Sequence, residues 1–90
     1  MAIIHLPSSL TNYTKQQRDV EVEAKTLQDA IEKLLEQFPA LKNHIVDNNS
    51  HLLLHVAVFI DGEQLDITSQ SPALLKPNSQ IDLLLALSGG

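Results

Sequence analysis

One segment limits the possible folds of this chain more than any other: residues 26–38, which carry a sustained helical stripe. Leu27, Ala30, Ile31, Leu34, Leu35 and Phe38 recur at three- and four-residue spacing and so share one side of a helix. Thr26 stands where an N-cap is needed, with Asp29 three residues on, close to a capping-box arrangement. Gln28, Glu32, Glu36 and Gln37 form the wet face, and Asp29 can pair with Lys33 across one turn. Pro39 ends the helix at Phe38, because a residue before proline disfavours the helical region. A lone apolar stripe has to be covered, and the remaining segments read as strands that can cover it.

Ala2 to Leu6 is a short apolar run ended by Pro7, and a polar loop follows from Ser8 to about Arg18. Residues 19–24, Asp-Val-Glu-Val-Glu-Ala, alternate strictly, as a strand with one wet face does, and the two strands form a hairpin. Glu21 and Glu23, like Glu32 and Glu36, are read as solvated. A second helical segment over about residues 40–46 precedes the loop 47–50. Leu53 to Ile60 is apolar almost throughout and reads as an inner strand. Asp61-Gly62 is a two-residue hairpin turn whose central positions both need positive φ, and Glu63 to about Ile67 is the partner strand. Pro72 to Ser79 is a loop, with one helical turn at Ala73-Leu74-Leu75 and a left-handed residue at Asn78. The last strand, Gln80 to Leu87, sets Ile81, Leu83, Leu85 and Leu87 on one face and Asp82, Leu84 and Ala86 on the other. The expected fold class is α+β, one main helix (26–38) packed across a mixed sheet of about five strands.

Composition narrows the chemistry. Ninety residues fit one domain, and with no cysteine there is no disulfide, thiolate zinc cluster or cysteine nucleophile. Six Lys and Arg against eleven Asp and Glu remove the main driving force for phosphate-backbone binding, so nucleic acid is not an expected partner. The N-terminal residues have no basic region and too short an apolar run for a signal peptide. The apolar stretch Leu52–Ile60 falls far short of the roughly 20 residues that span a bilayer, so no membrane partner is expected and the expected location is cytoplasmic. His5, His44, His51 and His55 lack the spacing of a metal site, and no metal is expected. No glycine-rich phosphate loop and no nucleophile elbow occurs.

Two of the three glycines are Gly89 and Gly90, directly after Ser88 and the last strand. Residues 1–87 then form the domain and residues 88–90 a flexible Ser-Gly-Gly tail. Glycines lack the Cβ atoms that obstruct a narrow tunnel, and residues 87–90 extend to roughly 13 Å, enough to carry a carboxylate into another protein's active site. A carboxylate is a weak electrophile and must first be activated, for example as an acyl-adenylate made from ATP. With no phosphate loop in the chain, that activation falls to a partner. If Ile81 and Leu83 face the helix, alternation places Leu84 and Ala86 on the sheet face away from it.

Across nearly its whole length the chain resembles the MoaD/ThiS-type sulfur carriers of the ubiquitin-like β-grasp class. The resemblance lies in Thr26-Leu27-Gln28-Asp29-Ala30, in Phe38-Pro39-Ala40-Leu41, in residues 56–63 and in Ile81 through Ser88-Gly89-Gly90. Length and the Phe38–Leu41 segment look most like molybdopterin synthase small subunits and cysteine-pathway carriers. The chain departs from the pattern at Leu54-His55, Ala57, Asn78 and Leu85, where Arg-Phe, Asn, Gly and Pro are common. The resemblance implies a ubiquitin-like β-grasp fold and a protein cosubstrate rather than an enzyme, able to serve as the small subunit of a molybdopterin-synthase-type enzyme. It makes the Gly90 carboxylate the activated group, with Gly89 behind it. By analogy with such carriers Ala57 and Phe59 share the outer face with Leu84 and Ala86, which gives an apolar docking patch beside the tail, and Phe59, Leu84, Ala86, Leu87 and Ser88 are the expected partner-binding residues. The implied partners are a ubiquitin-activating-type adenylating enzyme, a sulfur donor, and an acceptor enzyme or large synthase subunit. The chain itself binds no cofactor, and the activating partner uses the ATP. Sulfur delivered to molybdopterin is the leading expectation. The alternatives are a protein modifier forming isopeptide bonds through the same adenylate, and a β-grasp module that binds without covalent chemistry.

Overall fold

The computed structural model describes residues 1–47, 52, 56–65 and 73–85. Its elements are β1 (Ala2–His5), β2 (Asp19–Val22), α1 (Leu27–Gln37), α2 (Lys42–Ile45), β3 (Val56–Ile60), β4 (Glu63–Gln64) and β5 (Gln80–Leu85). The five strands make one sheet in the order β2-β1-β5-β3-β4. β5 lies in the middle, parallel to β1 and antiparallel to β3, so the sheet is mixed, as the sequence implied. β1 and β2 form the expected hairpin, with Ala2 opposite Val22 and His5 opposite Asp19.

The helix forms for the local reasons visible in the sequence. Thr26 is extended, and its hydroxyl accepts the Asp29 N–H at 3.1 Å, satisfying one of the orphan donors of the first turn. Asp29 and Lys33 approach to 3.7 Å. Leu27, Ala30, Ile31 and Leu34 are buried against the sheet, while Leu35 and Phe38 pack at the edge of the core. On the sheet, Ile4, Val20, Val22, Val56, Val58, Ile81 and Leu83 complete that core. Burying a side chain such as Leu34 stabilises the fold by about 2 kcal/mol, so the helix–sheet contact carries much of the stability.

Two loop readings change. Residues 8–18 are not a plain polar loop: Ser8–Tyr13 is a 3-10 helix that buries Leu10 and Thr11. The buried Thr14 hydroxyl donates to the Gln17 carbonyl at 2.7 Å, which fixes the return to β2. Residues 73–75 do not form a helical turn. They run extended beside the start of α1, the Leu27 N–H donating to the Ala73 carbonyl and the Leu75 N–H to the Lys25 carbonyl, both at 2.9 Å. The pairing satisfies the Leu27 N–H, which no turn of α1 can reach.

The second helical segment divides into a 3-10 turn, Pro39–Leu41, and α2. Asp61 and Gly62 have φ of 51° and 89°, as a hairpin turn between β3 and β4 requires, and Asn78 is left-handed at 66°. Of the expected strand 53–60, Val56–Ile60 is observed, and residues 53–55 lie outside the described part. The same holds for 66–67 of the strand after the turn and for 86–87 of the last strand.

Candidate functional site

Strand parity builds the site. β5 is paired on both sides, so its residues divide cleanly between the two faces of the sheet. Ile81 and Leu83 are buried beneath α1, whereas Leu84 on the opposite face is 48% exposed. Register then aligns the outer face. Asp82 stands opposite His5 of β1 and Phe59 of β3, and Leu84 stands opposite Ala57. Phe59 and Leu84 thus come together, as the resemblance implied. Both line an open depression of about 390 Å³ whose other walls are His5, Leu6, Pro7, Gly62, Asp82 and Leu83. Ala86, Leu87, Ser88, Gly89 and Gly90 lie outside the described residues.

Polar groups border this apolar surface on the β2 side. His5 bridges three strands: Nδ1 lies 2.6 Å from Asp19 Oδ1 and Nε2 lies 2.5 Å from Gln80 Oε1. Both partners are acceptors, so only the imidazolium, with two N–H donors, satisfies both at once. The bond to Gln80 and then that to Asp19 raise the His5 pKa above its ordinary 6.5. Asp82 adds a smaller attraction from the other side. His5 and Asp82 were not among the site residues read from sequence, and their signal lies in strand order rather than in any motif. His44 has an unrelated role, stacking on Tyr13 with ring centroids 4.2 Å apart.

The turn that launches β5 is held from β3. The Asp61 carboxylate accepts the Gln80 N–H at 2.8 Å through Oδ1 and the buried Ser79 hydroxyl at 3.1 Å through Oδ2. The Ser79 oxygen in turn accepts the Lys76 N–H at 2.8 Å. The Asp61 N–H donates to the Gln80 carbonyl at 2.8 Å. The start of β5 is therefore tied to the β3–β4 turn through one side chain.

No protein-family model and no curated protein matches the chain. Solved structures do. CysO in the Amycolatopsis orientalis BexX/CysO complex superposes with a TM-score of 0.86 over 100% of both chains, at 21% identity. SAMP1 from Haloferax volcanii matches 99% of this chain and 98% of its own at a TM-score of 0.79 and 23% identity. Sulfolobus solfataricus Urm1 matches 92% and 97% at a TM-score of 0.69 and 20% identity. At these identities the likeness establishes the fold, the ubiquitin-like β-grasp anticipated from the sequence. No helix among the described residues is long and apolar enough to cross a membrane.

Proposed function

We propose that this chain is a ubiquitin-like sulfur carrier, a protein cosubstrate rather than an enzyme. The observation that carries the reading is the end-to-end superposition on CysO, taken with the Gly89-Gly90 pair, four and five residues beyond the central strand of the sheet. The Gly90 carboxylate attacks the α-phosphorus of ATP in an adenylating partner, forming the acyl-adenylate and releasing pyrophosphate. A sulfur donor then displaces AMP, leaving a thiocarboxylate that passes its sulfur to an acceptor. This chain's part is to present the terminus: β5 anchors it, glycines let it thread, and Phe59 and Leu84 hold the partner beside it, with Ala86, Leu87 and Ser88 continuing that contact.

Molybdopterin synthesis is the first acceptor pathway proposed, on the resemblance of the Phe38-Pro39-Ala40-Leu41 segment; there the chain would be the small subunit of the synthase. The modifier reading stands second, favoured by the fold likeness to small archaeal modifier protein 1 from two archaea.

Mass spectrometry separates the readings. Incubation with ATP, an adenylating enzyme and a sulfur source should add about 16 Da, the exchange of oxygen for sulfur at the acyl carbon. Truncation of Gly90 should abolish the shift. Protein conjugates without the shift would replace the carrier reading by the modifier one, and neither product would remove both.

A further inference from the structure

We propose that the outer-face depression between β1, β5 and β3 receives an arginine side chain of the docking partner, its guanidinium on Asp82 and its stem on Phe59 and Leu84. The proposal rests on the outer face being the docking surface, but on no step of sulfur chemistry.

Three observations select this occupant. First, the depression is bordered mainly by apolar groups, yet Asp82 lines it, half-buried, its carboxylate making no hydrogen bond among the described residues. A carboxylate partly withdrawn from water and unbonded gains most from a charge-assisted bidentate partner. Second, the charge of the face is one-sided. The described strand positions sharing this face include Asp19, Glu21 and Asp82, and their one cation is His5, which is hydrogen-bonded to Asp19 and Gln80 and has only a smaller attraction to Asp82 opposite it. The whole chain carries −5, so an incoming cation meets attraction at long and short range. Third, Phe59 stands directly opposite Asp82 in the register. A planar, weakly hydrated guanidinium can lie against an aromatic ring while forking onto a neighbouring carboxylate, which a compact, strongly hydrated ammonium does less well. Apolar patch and acid together thus match one amphipathic side chain.

Titration of the full-length, 15N-labelled protein with N-acetyl-arginine-methylamide tests this without any partner enzyme. Saturable shifts are expected at the amides of Phe59, Asp82 and Leu84. The neutral citrulline analogue should bind about tenfold more weakly or worse, and Asp82→Asn should erase the difference. Asp82→Glu, which keeps the charge, should retain part of the preference. Equal binding of the two compounds, or unchanged binding to a folded Asp82→Asn protein, would overturn the proposal. So would a dimer in sedimentation that Arg18→Gln abolishes, since Arg18 is the sole arginine of this chain and the occupant would then be a second copy. The carrier reading stands or falls separately, on the oxygen-to-sulfur mass shift.

Discussion

Replacing Asp61 by alanine should loosen the launch of β5 more than its exposed position suggests. Two losses combine. The carboxylate bond to the Gln80 N–H is charge-assisted, and at a solvent-exposed site it contributes about 1.5 kcal/mol, the low end for such bonds. Alanine must also hold φ near 51°, the left-handed region, where a Cβ that cannot bond locally costs about 1 kcal/mol. Together they amount to about 2.5 kcal/mol, a large share of the stability of a 90-residue domain. Asp61→Asn keeps both the tolerance for positive φ and one acceptor for Gln80, so it should lose about 1 kcal/mol or less. Urea unfolding monitored by far-UV circular dichroism measures both, provided the m-value is unchanged so that the midpoint shift reports stability. An alanine variant within about 0.5 kcal/mol of wild type would refute the claim that this side chain holds β5. A similar loss for asparagine and alanine would refute the division between backbone conformation and hydrogen bond.

His5 should make stability pH-dependent. Its folded-state pKa is raised, so its contribution is fully present below the unfolded value near 6.5 and disappears as pH rises through the higher folded value. The Tm difference between wild type and His5→Gln should therefore shrink with rising pH across that window, and a constant difference would contradict the imidazolium bridge. Leu84→Glu should leave Tm nearly unchanged, because the side chain is already 48% exposed, while weakening binding of the adenylating partner measured by calorimetry. An unchanged dissociation constant would remove the outer face from the docking model.

What could be read from sequence was what short-range chemistry decides. Thr26 and Pro39 bracket the helix with groups that act within one turn, and Asp61-Gly62 and Asn78 owe their positive φ to their own side chains or the lack of one. The two misread loops depend on remote partners. Leu10 and Thr11 sit in a polar stretch, and the 3-10 helix there buries Leu10 in a core that the local sequence does not reveal. Ala73-Leu74-Leu75 has helical propensity, but an unpaired N–H at Leu27 and a carbonyl at Lys25 draw it into an extended pairing. The site divides in the same way. That Leu84 faces away from Leu83 follows from alternation alone. That His5, Asp19 and Gln80 meet requires the order β2-β1-β5, and residues 5 and 80 become neighbours only through a parallel pairing across most of the chain.

The central position of β5 explains how so small a domain could carry the proposed docking surface without weakening its core. An edge strand would leave one side of its backbone unpaired, and fraying there would move whatever follows it. β5 is bonded to β1 on one side and β3 on the other, so Ile81 and Leu83 are committed to the core while Asp82 and Leu84 are free to meet a partner. Substitutions on the two faces should then separate by parity: odd positions act through stability, and even positions through binding. A residue pulled from the middle of the sheet would cost both, which suits a strand whose continuation is the proposed working end. The absence of cysteine is compatible with the proposed role, because a carrier that holds sulfur on its terminal acyl group needs no side-chain thiol.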